Sequence, residues 1–129
     1  MGSTSTNLNR FIKSVGFAIQ GIRQLLKTEQ NARIHLFVSI AVIVAGFFFC
    51  LTALEWCIVL LCIGLVWAAE AFNTALETVT NHLFKERNET ARIIKDVSAG
   101  AVLICALAAA ACGLIIFLPK VLALFHLSC

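Results

Sequence analysis

The feature that most constrains this chain is a pair of apolar runs, at 34–54 and 97–119, that contain no Asp, Glu, Lys or Arg. Each run is long enough for a helix to cross a hydrocarbon layer about 30 Å thick. Sixty per cent of the 129 residues are hydrophobic and only 13% are charged, which leaves too few polar residues to cover a small soluble domain. The sequence therefore predicts a single all-α membrane domain over 1–129.

A third apolar run, at 56–69, is too short to cross a membrane alone. Its fourteen uncharged residues make a helix about 21 Å long at roughly 1.5 Å per residue. If this segment spans, its helix has to continue through Glu70 and Asn73, which places acidic and amide side chains at membrane depth or at its edge. We therefore predict three transmembrane helices, at about 34–54, 56–81 and 96–119.

The segment before the first span, at about 7–28, has the pattern of an amphipathic surface helix. Apolar residues at helical spacing are Phe11, Val15, Ile19, Ile22 and Leu26, and the opposite face carries Arg10, Lys13, Gln20, Gln24 and Lys27. A basic amphipathic helix beside a cytoplasmic leaflet lies in the interface. We expect it to anchor the chain there, or to close over a site and supply Glu29.

Basic residues are distributed very unevenly about the predicted spans. Of the ten Lys and Arg residues, five precede the first span, four lie in the loop after the second, and Lys120 alone follows the third. The turn after the first span carries Glu55 and no basic residue. The positive-inside rule predicts a cytoplasmic N-terminus, a cytoplasmic second loop and an external C-terminus.

The stretch EAFNTALE, at 70–77, places Glu70, Asn73, Thr74 and Glu77 within about 100° of one another on a helix. An intramembrane carboxylate faces a bundle interior or a wet cavity rather than lipid. Carboxylate and amide oxygens suit Mg²⁺, which completes its shell with water and substrate phosphate. The alternative is a polar seam that holds helices together by hydrogen bonds. Both interpretations remain open, although a cation and an acid at 95–96 favour a phosphate and metal site.

Several other site types are excluded or left without support. GFAIQG is followed by Ile22 and Arg23 rather than by Lys and Ser or Thr, so it is no phosphate-binding loop. The basic residues flank the predicted spans, where membrane topology already explains them, so they give no indication of nucleic-acid binding.

The six cysteines form no CxxC pair, and we interpret them as small apolar residues. The exception left open is a disulfide between Cys50 and Cys57, which flank the first turn. Small residues in the third span, at 106–113, favour close helix packing and an oligomer.

Two motifs give the chain a resemblance to a known family. EAFNTALE, at 70–77, is similar to the E-x-x-N-[ST]-A-[IL]-E motif of the small bacterial integral-membrane lipid kinases, the diacylglycerol and undecaprenol kinases. KDVSAGAVL, at 95–103, resembles their second motif, and GIR at 21–23 with Glu29 downstream also matches. The resemblance extends over about 10–120.

The resemblance implies a homotrimer of the bacterial cytoplasmic membrane that uses ATP to phosphorylate the hydroxyl of a lipid, undecaprenol or diacylglycerol, in sites between protomers. It implies that Glu70 is the general base and that Glu29 and Glu77 hold Mg²⁺. Ser98 is expected beside the lipid substrate together with Glu70. The residues implied to contact ATP are Arg10, Phe17, Glu29, Asn73, Glu77, Glu86, Arg87, Asn88, Lys95 and Asp96. A non-enzymatic membrane subunit with an ion-binding or interhelical acidic stripe is the alternative function.

Overall fold

Four helices make up the fold. A computed structural model defines the backbone of residues 3–126 and the side chains of residues 7–125. The helices are α1 (Ser3–Thr28), α2 (Gln30–Phe48), α3 (Ala53–Leu83) and α4 (Glu89–His126). The described part of the chain contains no strand, and α2, α3 and α4 are each long and apolar enough to cross a membrane. The all-α prediction with three candidate spans is confirmed.

Helix α3 is continuous through the acidic stretch, as the short apolar run requires. It has 31 residues, which at about 1.5 Å per residue gives about 46 Å, more than the thickness of a hydrocarbon layer. Glu70, Asn73 and Glu77 all lie within it. Because the helix does not break, these side chains project from one rigid rod.

The turn between α2 and α3 lies earlier than predicted. The predicted first span continued to Leu54, but α2 ends at Phe48. Cys50 has a φ of 51°, and the amide of Leu51 donates to the carbonyl of Gly46 at 3.1 Å. This left-handed residue with a six-to-one hydrogen bond is a Schellman motif, which ends a helix.

The start of α3 is fixed by a capping box. The Thr52 hydroxyl accepts from the amide of Glu55 at 3.3 Å, and the Glu55 carboxylate accepts from the amide of Thr52 at 2.7 Å. The sequence signal, T-x-x-E before an apolar run, was present. Residues 34–54 carry no charge, and hydropathy does not distinguish an apolar turn from an apolar helix. The sequence prediction therefore extended the first span through the turn.

Helix α4 is longer than the predicted third span at both ends. It begins at Glu89 rather than near residue 96, and it continues past Pro119 to His126. A proline removes one helical hydrogen bond, but packed helices can accommodate the loss. Beyond Pro119, Lys120 pairs with Glu55 at 3.1 Å, which ties α4 to the start of α3.

The core of the described chain lies at the turn end of the bundle. Leu51, Val59 and Ile116 form a buried cluster, and α4 packs mainly along α3, while α2 contacts α3. A Cβ atom at Gly46 would lie 2.7 Å from the Trp56 ring, so this close approach requires glycine. The five described cysteines are free thiols, so the disulfide left open between Cys50 and Cys57 is not formed. Met1 and Cys129, which mark the predicted inner and outer ends, lie outside the described residues.

Candidate active site

Glu70 is the most deeply buried polar side chain described, at 1% exposure. Its Oε2 atom has no hydrogen-bond partner, and neither has the hydroxyl of Thr74 one turn away. Burying a carboxyl group without a partner is costly. Helix packing within one chain therefore gives no reason for a glutamate here, and the unpaired oxygen is available to a ligand.

Asn73 differs from Glu70, because it links two helices. Its side-chain oxygen accepts a hydrogen bond from the Ser98 hydroxyl on α4 at 2.7 Å. The Ser98 hydroxyl also lies 3.0 Å from the carbonyl oxygen of Lys95. Asn73 thus makes the hydrogen bond between helices that the polar-seam interpretation expects. The Oε2 atom of Glu70 makes none.

Three further ionisable groups act electrostatically on Glu70. Glu29, His35 and Glu77 all lie within electrostatic range of its carboxylate. Glu29 comes from the junction of α1 and α2, His35 from the first turns of α2, and Glu77 from the same face of α3. The fold therefore brings the predicted base and both predicted metal ligands to one end of the bundle.

Glu29 and Glu77 form a donor set that fits a divalent cation. Glu29 is the N-cap residue of α2, but its carboxylate makes no capping hydrogen bond, so its oxygens stay available. Within the described residues, no three acidic, His or Cys side chains converge on one point. Mg²⁺ needs only one or two carboxylates when substrate phosphates supply other ligands, so two glutamates suit a metal that arrives with a nucleotide.

Lys95 and Asp96 face different neighbours, although they are adjacent in sequence. The Lys95 ammonium donates to the side-chain oxygen of Asn81 on α3 at 2.5 Å. The Asp96 carboxylate instead pairs with Arg92 at 2.7 Å, and Arg92 also pairs with Glu89 at 2.5 Å. The cation and the acid at 95–96 are therefore held by different neighbours, Asn81 and Arg92.

The loop between α3 and α4 encloses part of a cavity of about 450 Å³. Glu86, Arg87 and Asn88 line it together with Asn81 and Lys95. Asn88 also caps α4, since its side-chain oxygen accepts from the amide of Ala91 at 3.2 Å. Four of the residues predicted to contact ATP thus lie around one polar cavity.

Two of the other predicted ATP contacts lie on the first helix, away from this cavity. Arg10 and Phe17 lie on α1, their side chains are exposed, and neither lines the loop cavity. The sequence analysis did not single out two neighbours of the site, His35 near Glu70 and Asn81 beside Lys95. Helical periodicity predicts which helix face His35 and Asn81 occupy. It does not predict which residues of the neighbouring helix they contact, because that depends on how the two helices are aligned.

The chain is similar to known proteins over most of its length. The family model described as prokaryotic diacylglycerol kinase matches residues 16–117. The chain is 39% identical over 113 residues to the undecaprenol kinase of Bacillus subtilis (strain 168), a match that covers 88% of this chain and 92% of the relative. It is 38% identical over 112 residues to a diacylglycerol kinase of Synechocystis, covering 86% of this chain and 64% of the relative.

A third relative, a diacylglycerol kinase of Haemophilus influenzae, is 31% identical over 100 residues, which cover 78% of this chain and 85% of the relative. The matched region includes the acidic stretch of α3, the loop cavity and most of α4. These matches leave no support for the alternative of a non-enzymatic membrane subunit. The chain therefore belongs to the prokaryotic diacylglycerol kinase family and is a membrane lipid kinase.

Proposed function

We propose that the protein transfers the γ-phosphoryl group of ATP to the hydroxyl of a membrane lipid alcohol, undecaprenol or diacylglycerol, at the cytoplasmic face of the bacterial inner membrane. The observation that carries this proposal is the buried Glu70 carboxyl group, whose Oε2 has no partner. A base for a lipid hydroxyl has to lie where the lipid headgroup lies, at the edge of the membrane and away from bulk water.

The proposed step needs one proton acceptor and charge neutralisation. Glu70 removes the hydroxyl proton as the lipid oxygen bonds to the γ-phosphorus, the bond from that phosphorus to the bridging oxygen breaks, and ADP leaves. A divalent cation, which we propose to be Mg²⁺ held by Glu29 and Glu77, would neutralise phosphate charge. Catalysis is then mainly a matter of positioning and electrostatics.

Residues on α4 hold the phosphate and lipid side of the site. Lys95 supplies a cation for the phosphates, and its ammonium is kept at the end of α3 by Asn81. Ser98, expected beside the lipid substrate, fixes the side chain of Asn73. The amide NH₂ of Asn73 then remains free to donate to a phosphate oxygen, since its carbonyl oxygen is engaged.

The nucleotide side of the site is proposed to include the loop cavity. The residues that line this cavity include Glu86, Arg87, Asn88 and Lys95. Asp96 follows Lys95 directly in the sequence. Arg10 and Phe17 lie exposed on α1. We propose that they reach a nucleotide in an assembled homotrimer, where α1 lies along the membrane surface and sites form between protomers.

The test is a side-by-side assay of purified protein with Mg-ATP and either undecaprenol or diacylglycerol in the same detergent. Undecaprenol is the first substrate to examine, because the match to the Bacillus relative covers almost all of both chains. We expect ATP-dependent lipid phosphate formation that requires the divalent cation. Absence of turnover with either alcohol, in protein that binds Mg-ATP, would contradict the proposed substrate class.

A further inference from the structure

We infer that His35 is a positioning residue that acts through Glu70: its imidazole receives the proton that Glu70 has taken from the lipid alcohol and passes it to water. The inference rests on the proposed function, in which Glu70 is the base.

The register between α2 and α3 places His35 beside Glu70. The indole Nε1 of Trp67 donates to the Ser39 hydroxyl at 3.1 Å, which aligns Ser39 with Trp67 across the two antiparallel helices. One turn from Ser39 along α2 is His35, whose carbonyl accepts from the Ser39 hydroxyl at 2.7 Å. About one turn along α3 in the opposite direction, three residues beyond Trp67, is Glu70.

A shared cavity places the His35 side chain on the inner face of α2. His35, Ser39 and Val66 line the same apolar cavity of about 340 Å³ between α2, α3 and α4. Val66 precedes Glu70 by one helical turn on the same face. His35 therefore lies on the face of α2 that meets α3, and it lies within electrostatic range of the Glu70 carboxylate.

Glu70 needs such a partner because it is sealed from solvent. After each phosphoryl transfer the carboxyl group carries a proton that it has to lose before the next turnover. At 1% exposure, with Oε2 unpaired, it has no direct route to bulk water. His35 is only partly buried, so its ring can connect the carboxyl group to solvent.

Two other ionisable groups, Glu29 and Glu77, lie within electrostatic range of the Glu70 carboxylate, and both are proposed to hold a cation. An imidazole can take up a proton at one ring nitrogen and release it from the other, because the two nitrogens are distinct. The balance is simple: protonated Glu70 and neutral His35 become carboxylate and imidazolium, and the imidazolium then releases its proton to water.

The experiment compares the first turnover with later turnovers in His35→Gln, by rapid quench with Mg-ATP and a saturating lipid alcohol. The matched control is His82→Gln, which makes the same change at an exposed histidine near the end of α3. In His35→Gln the first turnover should keep its wild-type rate, because the proposed relay acts only after Glu70 has taken its first proton from the lipid. The steady-state rate should then fall by about 10²-fold, near the lower limit for a positioned proton-transfer group, so that product appears as a burst of one per site.

A second variant gives an independent readout. His35→Ala should show the same burst, and added imidazole should restore its steady-state rate, because the adjoining cavity leaves room for the ring. A wild-type steady-state rate in His35→Gln would overturn the inference, as would equal slowing of the first and later turnovers without an imidazole response. If Glu70→Gln kept normal turnover, the proposed base would fail instead, whatever His35 does.

Discussion

The Lys95 ammonium donates a hydrogen bond to the side-chain oxygen of Asn81 at 2.5 Å, across the two helices that enclose the loop cavity. Lys95 is the cation proposed to meet the ATP phosphates, and Asn81 is the described side chain that fixes its direction. A long lysine side chain loses rotamer freedom when it binds, so a partner that orients it beforehand should improve nucleotide affinity.

We expect Asn81→Leu to raise the KM for ATP about fivefold, the equivalent of one hydrogen bond worth about 1 kcal/mol. The turnover number should change less, because Lys95 is still present. Asn81→Asp keeps the acceptor oxygen and should keep a near-normal KM. Steady-state kinetics over ATP concentration checks both variants, and an unchanged KM in Asn81→Leu would show that the contact does not serve binding.

The carboxylates of α3 should divide the work between proton transfer and metal binding. Glu70→Gln should lower turnover by about 10² to 10⁴ because a positioned base is lost, while Mg-ATP binding stays largely intact. Glu77→Gln should instead weaken Mg-ATP binding, because a hard anionic ligand is lost. Turnover and nucleotide affinity are measured for each variant in one detergent.

A distant glutamate provides the matched control for these two changes. Glu55→Gln alters a carboxylate at the opposite end of α3, where Glu55 caps the helix and pairs with Lys120, and it should leave turnover unchanged. Near-normal turnover in Glu70→Gln would show that Glu70 is not the base. The kinase activity would then depend on another residue. Lys95→Ala should lower both affinity and turnover, because its charge opposes phosphate charge in the ground state and the transition state.

The sequence predicted which residues share a helix face better than it predicted which residues touch. That α3 continues through Glu70 followed from the length of the apolar run, and it is confirmed. Lys95 and Asp96 are adjacent in sequence but bind different partners, because neighbours in a helix point about 100° apart. The position of His35 beside Glu70 depends on the Ser39 to Trp67 contact, 28 residues apart, which no local pattern specifies.

The α2–α3 turn offers a stability test. Cys50 adopts the left-handed conformation with a φ of 51°, which costs a residue with a side chain roughly 1 kcal/mol or more. Cys50→Gly should therefore stabilise the protein by up to about 1 kcal/mol, reduced by the greater freedom of glycine in the unfolded chain. The midpoint of unfolding in detergent checks this.

Two variants bracket that result. Cys50→Ala removes the thiol but keeps a Cβ atom, so it should give no gain. Gly46→Ala places a methyl group 2.7 Å from the Trp56 ring and should destabilise by about 1 to 3 kcal/mol through overpacking. Equal stability of Cys50→Gly and Cys50→Ala would show that the left-handed backbone carries no cost here.

The proposed homotrimer follows from surfaces that one chain leaves uncovered. Phe37, Phe47 and Phe72 are each more than 70% exposed, and neighbouring chains or lipid can cover such side chains. We expect native mass spectrometry from a mild detergent to show trimers, and activity to follow the trimer fraction on dilution. Monomers that remain fully active would contradict a site formed between protomers.

The orientation in the membrane can be tested at the two ends of α3. The distribution of basic residues predicts that the loop at 84–88 is cytoplasmic and the α2–α3 turn is external. Cys50 in that turn is an exposed free thiol, and Asn88 lies exposed in the opposite loop.

In a background whose other cysteines are replaced by alanine, an impermeant thiol reagent on intact cells should label Cys50. The same reagent should leave Asn88→Cys unlabelled until the cells are opened, because the membrane shields the loop. Labelling of Asn88→Cys in intact cells would place Glu29, Glu70 and Glu77 on the external face, where ATP is not supplied, and the proposed phosphoryl transfer could not occur there.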